Sequence, residues 1–308
     1  MNRLTPKQLT PKSAQAIATV AYVFTFPLVM RYGQMYRQSI DPGSPTFCGG
    51  FAAWSEDCVT EPRTSGNGRP REDVLYASSW LDLRVEPWWC SVEAAASDVS
   101  FRGVLIDLWG FRIVDLEPGD SGRVLASAPA HLRDVPPQVR IVARGESSIV
   151  QLSTETRWKD PYRLPGTCPE RPPVVLAPVS SQFGRSVPRR SDAVAWSLWF
   201  EGLETTDEFW SCANFALSLI APDPDDRHVF EQIAHIGVVP GEQWSASAFS
   251  GPVVEAIRDG MDEAVSDLLE AAARPDVHRR DLGSRSAMDR DYFSRALAAL
   301  QRRGHADA

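Results

Sequence analysis

The sequence feature that most constrains the fold is a series of short apolar runs between residues 81 and 179, separated by clusters of turn-forming residues. Examples are residues 104–106, 111–116 and 139–143, and the break at 117–122 reads Glu-Pro-Gly-Asp-Ser-Gly. Proline presets φ and glycine tolerates positive φ, so this break predicts a tight turn between strands. No helical pattern intervenes, which predicts an antiparallel sheet folded as a sandwich or barrel.

The N-terminal part contains an apolar stretch, residues 17–30, in which Phe24 and Leu28 recur at helical spacing. Ser13 is a suitable N-cap, and Pro27 predicts a kink or a restart of the helix. No small-residue cleavage site follows, and the stretch is too short and too interrupted to cross a bilayer. We therefore expect a buried helix and no membrane span.

The remaining parts of the chain differ in texture from the strand-rich part. Residues 41–73 are rich in proline, glycine and charge, which predicts a long loop. Towards the C-terminus the pattern becomes helical, with Ile257 and Met261 on one face. The chain is predicted to be an α+β protein, with an N-terminal helix plus an antiparallel β domain at 1–190 and a helical region at 191–308 packed on it.

Charge and composition exclude some classes of function. The chain has 32 Lys and Arg against 40 Asp and Glu, a net charge of -8, which opposes chain-wide binding to nucleic acid or to an anionic membrane. Apolar residues make up 43%, as is ordinary for a globular protein. The 10 tryptophans and 24 prolines indicate many loops and an aromatic-rich interior or pocket.

The 5 cysteines include no Cys-x-x-Cys pair and no histidine at zinc-ligand spacing, which opposes a zinc site. A chain of this length needs no disulfides, so we expect reduced thiols and a cytoplasmic location. A disulfide between Cys48 and Cys58 is the alternative that the sequence leaves open. Dinucleotide, phosphate-loop, serine-hydrolase and metalloprotease motifs are absent from the sequence. We therefore expect no cofactor and no metal.

Several segments together resemble one bacterial family, domain of unknown function 1254. Residues 21–29 resemble its opening "A-Y-x-Y-G-F-P-L-V", and residues 69–83 resemble its "R-P-N-x-D-T-L-Y-S-x-A-W-L-D-L". Residues 108–111, 156–157 and 236–241 fall where the family carries "D-x-W", "R-T" and "I-G-I-x-P-G". The resemblance covers roughly residues 16 to 300.

The resemblance implies two β-rich domains in a usual member, of which the second follows a helix like the one predicted at 286–300. This chain ends at Ala308, so we expect it to lack the second domain, and one hypothesis is that a separate partner protein carries that domain. Arg71 stands where the family motif has asparagine. If that asparagine binds a ligand in the family, this protein binds a different one.

The richest cluster of chemically active side chains lies between Arg69 and Trp89. Glu72 and Asp73 lie on opposite faces of an extended segment, Glu72 on the same face as Tyr76, and Trp80 follows them. A carboxylate beside aromatic rings is a reasonable general acid, because desolvation keeps it protonated near neutral pH. The alternative is a buried Arg–Asp pair surrounded by core tryptophans.

A second cluster combines Asp107, Trp109 and Arg112 with Arg157 on a later strand. Strand alternation places Asp107 and Trp109 on one face of the sheet, and a buried aspartate there requires a partner such as Arg157. The cluster is interpreted either as the lining of a pocket or as an ion pair that ties two strands together.

A third motif, Asp-Pro-Asp-Asp at 223–226, resembles the D-x-D-D acid motif of class II terpene cyclases. An N-cap followed by acidic residues in the first helical turn explains it better, since both favour a helix N-terminus.

Two hypotheses of function follow. In the first, the protein is a cofactor-independent enzyme of a bacterial secondary-metabolite pathway that acts on a hydrophobic small molecule by protonation, isomerisation or cyclisation. In the second, it is a non-catalytic ligand-binding or assembly module that needs a separate partner domain. A homodimer is compatible with both. The catalytic candidates are Glu72, Asp73 and Asp107, and the substrate-binding candidates are Arg69, Tyr76, Trp80, Trp109, Arg112 and Arg157.

Overall fold

The structure is a computed structural model. It describes residues 9–61, 72–93, 98–116, 123–128, 147–158, 172–183, 195–274, 285 and 291–306. Of residues 58–61, 72, 73, 123, 182, 183 and 302–306 it describes the backbone only. The predicted strand at 139–143 lies outside the described residues.

Within the described residues the chain forms the helices α1 (Pro11–Ser39), α2 (Glu208–Ser218), α3 (Arg227–Ile233), α4 (Gly251–Ala272) and α5 (Tyr292–Ala306). The strands are β1 (Trp54–Glu61), β2 (Glu72–Asp82), β3 (Trp88–Val92), β4 (Val99–Asp107), β5 (Arg112–Leu116), β6 (Arg123–Ala126), β7 (Ile149–Trp158) and β8 (Val174–Pro178). The predicted loop at 41–73 therefore contains a strand, β1.

The chain divides into two compact units. The helical unit comprises Met1–Tyr36, Leu108–Phe111 and Ala195–Ala308, and the β unit comprises Arg37–Asp107 and Arg112–Val194. The sequence assigned the N-terminal helix to the β domain at 1–190, whereas the structure groups it with the C-terminal helices. The reason is aromatic packing, since Tyr22 of α1 stacks on Phe209 of α2 with ring centroids 4.5 Å apart.

The β unit is built from two antiparallel sheets. The larger has the strand order β1-β2-β7-β4-β5 and the smaller has the order β6-β3-β8. Every described pairing is antiparallel. Buried residues of both sheets, among them Leu105 and Leu152 of the larger and Cys90 and Ala126 of the smaller, form one hydrophobic core. Two sheets that share one core are the defining feature of a β-sandwich. The predicted α+β class and sandwich-like β domain are therefore confirmed.

Alternation in the sequence explains how the strands reach this core. Along β4 the buried positions from Gly103 onward are every second residue, ending at Asp107. Along β7 Leu152, Thr154 and Thr156 are buried on the same principle, because successive side chains of a strand point to opposite faces.

The long helix α1 differs from its prediction at two positions. It begins at Pro11, and the cap is Thr10, whose hydroxyl accepts a hydrogen bond from the Ser13 amide at 3.2 Å. The Ser13 hydroxyl in turn accepts one from the Thr10 amide at 3.0 Å, so Ser13 is the third helical residue of a reciprocal capping arrangement. The helix continues through Pro27 without restarting.

By length and composition α1 is long and apolar enough to cross a membrane, with a mean hydropathy of 1.5 in its most apolar window. In the structure 61% of that window is buried in protein. The core helix of a globular protein has the same properties.

Candidate functional site

The helical unit contains a cleft of about 630 Å³ lined by the part of the chain that surrounds α3. We call it the α3 cleft. Its volume lies in the range of small-molecule sites, which are mostly apolar with a few polar groups. Its charged or titratable side chains are Asp223, Arg227, Glu231 and His235. Its apolar lining includes Pro222, Phe230, Ala234, Val238, Val239 and Pro240.

One side of the α3 cleft is built by the acidic segment at 223–226. The side chain of Asp223 accepts a hydrogen bond from the Asp225 amide at 2.7 Å, and Pro224 occupies the first position of a short 3-10 helix that leads into α3. Proline is favoured there because the first helical residue has no hydrogen-bond partner for its N–H. The N-cap interpretation of this motif is confirmed.

Asp226, the last residue of the motif, is an anchor between distant parts of the helical unit. It is only 4% exposed, and the Tyr292 hydroxyl donates to its Oδ1 at 2.7 Å. Arg285 donates to its Oδ2 and also places Nε 2.7 Å from Asp223 Oδ2. Both carboxylates are therefore paired inside the protein, which supports a structural role for the acidic segment.

An aromatic cluster lies behind the cleft. The ring of Phe230, which lines the cleft, meets Phe24 of α1 edge-on, with centroids 5.4 Å apart. Phe24 also meets Trp109 at 5.1 Å and Tyr292 at 5.2 Å. Edge-to-face pairs of this kind fix ring positions. The wall at Phe230 therefore rests on a packed support.

A buried arginine completes the cluster. Arg295 of α5 is 1% exposed, and its guanidinium carbon lies 4.8 Å from the ring centre of Trp109 and 4.6 Å from that of Phe111. It also lies 5.5 Å from the ring of Tyr292. A desolvated cation on an aromatic face contributes about 2 kcal/mol. Arg295 thus joins α5 to the turn at Leu108–Phe111.

The other side of the cleft is a loop after α3. Gly237 has a φ of 81°, in the left-handed region that favours glycine, and this conformation ends the helical segment. A Cβ at this position would lie 3.2 Å from the Trp244 ring. The Trp244 indole donates to the Ile236 carbonyl at 2.8 Å and so holds the start of the loop.

Three polar side chains mark the rim of the cleft. Arg227, Glu231 and His235 follow one another at successive turns of helix, so they share one face, and all three line the cleft. Arg227 and Glu231 are exposed, and His235 is half-buried. The arrangement offers a cation, an anion and an imidazole to the polar end of a molecule whose apolar part occupies the cleft.

The structure places part of the first predicted cluster outside what can be described. Arg69 lies outside the described residues, as do the side chains of Glu72 and Asp73. The backbone of Glu72 begins β2 opposite Glu61, and Asp73 lies opposite Thr60.

Tyr76 and Trp80, the aromatic members of the same cluster, belong to the β unit. Tyr76 is half-buried on β2. Trp80 is 2% exposed, and its indole donates to Gln38 Oε1 at 2.7 Å. Trp80 is thus a core residue, as the alternative interpretation of this cluster expected.

The second predicted cluster does not assemble as expected. Asp107 is buried at the last position of β4, whereas Arg157 lies opposite Ser100, near the start of the same strand. At ~3.3 Å per residue these positions are roughly 23 Å apart. Arg157 instead contacts Glu155 on its own strand, and Arg112 contacts Asp115. The expected pair of Asp107 with Arg157 is wrong.

Of the predicted binding residues that the structure describes, Trp109 is the one that belongs to the support of the α3 cleft. The sequence placed it on a sheet face with Asp107, but β4 ends at Asp107 and Trp109 lies in a turn. Gly110 has a φ of 93°, which interrupts the extended backbone between β4 and β5.

Sequence reasoning missed Phe230, Arg285, Tyr292 and Arg295 as members of one cluster. Each was visible only as part of a helical pattern or a basic run. The signals at hand were the acidic segment at 223–226 and the family-like residues 236–241, which form the two sides of the cleft.

In the part of the chain that the structure describes, thiols and possible metal ligands form no second centre. Among the described residues there is no group of three His, Cys, Asp or Glu that could hold a metal ion. Burial raises the pKa of the Cys90 and Cys212 thiols to about 12, which makes them poor nucleophiles. Cys48 carries a free thiol, and the side chain of Cys58 lies outside the described residues.

The fold and the α3 cleft together define the class of protein. It is an α+β protein with a sandwich-like β unit and a helical unit that carries an apolar cleft. No protein-family model and no curated protein matches the chain.

Among solved structures the chain is similar to the crystal structure of the VPA0106 protein from Vibrio parahaemolyticus, with a TM-score of 0.62 and 17% sequence identity. The match covers 93% of this chain and 66% of that protein, so this chain spans less than two thirds of its length. At this identity the likeness shows the fold alone.

Proposed function

We propose that the protein binds a hydrophobic small molecule with one polar end, in the α3 cleft. The observation that carries the proposal is a cleft of about 630 Å³ whose lining is largely apolar. Burying apolar ligand surface there contributes about 25 cal/mol per Å². The aromatic cluster behind Phe230 supports the proposal further, since a rigid wall lowers the entropic cost of binding.

The polar rim supports the second part of the proposal. Arg227, Glu231 and His235 line the cleft on one face, so a ligand's polar group finds partners there without burial of an unpaired charge. The acids nominated from the sequence lie in the β unit, and Asp107 and Arg157 lie on neighbouring strands, at opposite ends of the pairing between β4 and β7. Binding in the α3 cleft needs only the residues that line it, whereas catalysis by the acids nominated from the sequence would need groups that do not line it. We therefore prefer binding to catalysis.

The test uses N-phenyl-1-naphthylamine, a neutral apolar probe whose fluorescence rises on burial. We expect saturable binding by the wild type, and we expect Val239→Asp to weaken it at least tenfold, because the variant places a carboxylate in an apolar wall. The matched control is Val175→Asp on β8, where the valine is 44% exposed, and it should bind like the wild type. Equal affinity in all three proteins would contradict binding in this cleft.

The nature of the polar end is defined by competition. Decanol, decanoate and decylammonium share one apolar chain and differ only in the charge of the head group. Displacement of the probe by one of them at lower concentration than by the others identifies the charge that the rim prefers. Displacement by none of the three, with the probe still bound, would reject a ligand with a polar end.

A second candidate is the cofactor-independent enzyme, which would act on the same molecule by acid–base chemistry. Its support is that a carboxylate, Glu231, and an imidazole, His235, both line the cleft. The test compares wild type with His235→Gln after incubation with an apolar extract of bacterial cells, read by mass spectrometry. A compound consumed by the wild type and not by the variant supports catalysis. If neither protein changes the extract, catalysis is rejected and ligand binding is the function that remains.

We also propose membership of the domain of unknown function 1254 family, a cytoplasmic location and assembly with a partner protein that carries a further domain. The family-like residues 236–241 support the first proposal, since Gly237 stands at the glycine of the motif and has a φ of 81°, which favours glycine. Free thiols at Cys48, Cys90 and Cys212 support the second. Purification of the tagged protein from its own host tests the third.

A further inference from the structure

The loop that forms the second side of the α3 cleft is held by one side chain from another helix. Asn214 lies in α2 and is 0% exposed. Its Nδ2 donates to the Gly237 carbonyl at 3.0 Å and to the Glu242 carbonyl at 2.9 Å. Its Oδ1 accepts a hydrogen bond from the Val239 amide at 2.8 Å. Both donors and the acceptor of the amide are thus used on a single loop.

The backbone of the same residue adds a further contact. The Asn214 carbonyl accepts a hydrogen bond from the Gly241 amide at 2.8 Å. The contacts therefore reach both ends of the loop and its middle. Between them lie Val238, Val239 and Pro240, all of which line the cleft.

We infer that Asn214 is the positioning residue of the α3 cleft, which sets the distance of the Val238–Pro240 wall from α3 without touching the bound molecule. The inference rests on the proposed function, since it concerns the same cleft. Asn214 is not among the lining residues, so its effect on a ligand passes through the loop.

The chemistry of the side chain explains why an asparagine is needed. The carbonyls of Gly237 and Glu242 each accept a hydrogen bond and the Val239 amide donates one, so the side chain that holds them needs two donors and an acceptor. Aspartate has the same shape but no donor, and it directs a negative charge at two carbonyl oxygens. The loop must then move away from α2 or leave both carbonyls unsatisfied.

The test compares Asn214→Asp with Cys212→Ala in the full chain. Cys212 lies on the same helix and is 1% exposed. Its thiol forms a hydrogen bond with the side chain of Ser197, which is not part of the loop. Both variants should lower the melting temperature. At a temperature where both are folded, we measure the affinity for N-phenyl-1-naphthylamine and the amide hydrogen exchange of Val239 and Gly241.

We expect Asn214→Asp to weaken probe affinity about tenfold and to accelerate the hydrogen exchange of both amides by a similar factor. The reason is that the variant loses the hydrogen bonds that hold the Val238–Pro240 wall in place. Cys212→Ala should change neither. An Asn214→Asp protein with wild-type affinity and wild-type exchange at Val239 and Gly241 would overturn the inference. Asn214→Ser, which replaces the carboxamide with a shorter hydroxyl and adds no charge, replaces Asn214→Asp if the latter does not fold.

The two readouts separate this inference from the proposed function. If the wild type does not bind the probe, the proposed function fails, and the exchange of Val239 and Gly241 still decides whether Asn214 holds the loop. If the wild type binds and exchange alone responds to Asn214→Asp, Asn214 holds the loop, but its role in positioning the cleft is rejected.

Discussion

The helical unit and the β unit use charged side chains in different ways. In the helical unit Arg285 joins Asp223 and Asp226, and Arg295 lies buried on aromatic rings, so side chains distant in sequence meet behind one cleft. In the β unit Arg112 contacts Asp115 and Arg157 contacts Glu155, each within a few residues along one strand.

The difference teaches that a dense run of reactive residue types is not by itself a site. Residues 69–89 hold the highest local density of carboxylates, arginines and tryptophans, yet a strand spreads its side chains over two faces and its whole length. The acidic segment at 223–226 is short, but it ends at a helix against which α1 and α5 pack. Convergence of several elements makes the site.

The largest expected effect comes from breaking one ion pair in each unit. Asp226→Asn should lower the free energy of unfolding by about 2–3 kcal/mol, because Asp226 is buried and Arg285 keeps only Asp223 of its two carboxylate partners. Asp115→Asn should cost less than about 0.5 kcal/mol, since that side chain is 53% exposed. Urea unfolding measures both. Equal losses would remove the contrast between the units.

Two glycines provide the next comparison. A Cβ at Gly260 of α4 would lie 2.4 Å from the backbone oxygen of Gln15, so Gly260→Ala should cost about 2 kcal/mol. At Gly103 of β4 the nearest atom is the tip of the Phe101 ring at 2.8 Å, which can turn aside. Gly103→Ala should therefore cost under about 1 kcal/mol by thermal unfolding. The reverse order would contradict a rigid contact between α1 and α4.

A smaller effect is expected on ligand binding. Arg227→Gln should weaken binding of decanoate about threefold relative to decanol, because the rim loses an exposed cation. Asp107→Asn and Asp73→Asn, in the β unit, should leave both affinities unchanged. Competition against the fluorescent probe measures all of them. Loss of binding in either β-unit variant would show that the binding site lies at the residues nominated from the sequence and not in the α3 cleft.

The last comparison concerns one buried thiol in each unit. Burial raises the pKa of Cys90 and Cys212 from 9.0 to about 12, so between these pH values the folded protein keeps protons that the unfolded chain has lost. Stability from these thiols is thus present below pH 9 and falls as the pH rises towards 12.

At pH 8 a thiol reagent should modify the half-buried Cys48 before Cys90 and Cys212. Cys90 and Cys212 should react only through opening of the structure around them, so their rates report on each unit separately. In Asp226→Asn the rate at Cys212 should rise more than tenfold and that at Cys90 less. Equal acceleration of the two would show that both units open together.

Local patterns predicted much of the fold. Alternation and turn residues identified β4, β5 and β7, and helical spacing identified α1, α4 and α5. Strand β1 was missed because Ser55, Glu56 and Asp57 are polar and lie at the edge of the sheet, where no apolar alternation is required. The unit boundaries were missed because α1, which ends at Ser39, packs on helices of the C-terminal part, of which α2 begins at Glu208.

The candidate site was harder to predict than the fold. Trp109 was named from its residue type, but its partners Phe24 and Arg295 come from the two ends of the chain. No spacing rule relates such positions. Asn214 carries no local signal either, because an asparagine in a helix pattern looks like an ordinary polar residue until the loop that it holds is known.

The sequence by itself determined the α+β class, the antiparallel pairing and the cap at Asp223, because these depend on side-chain periodicity and on backbone preferences of neighbouring residues. Only the tertiary structure decided which charges are buried, which aromatic rings meet and where an apolar cleft remains open. Those properties depend on the packing of elements far apart in the chain, and packing is set by shape and volume, which a linear pattern of residue types does not contain.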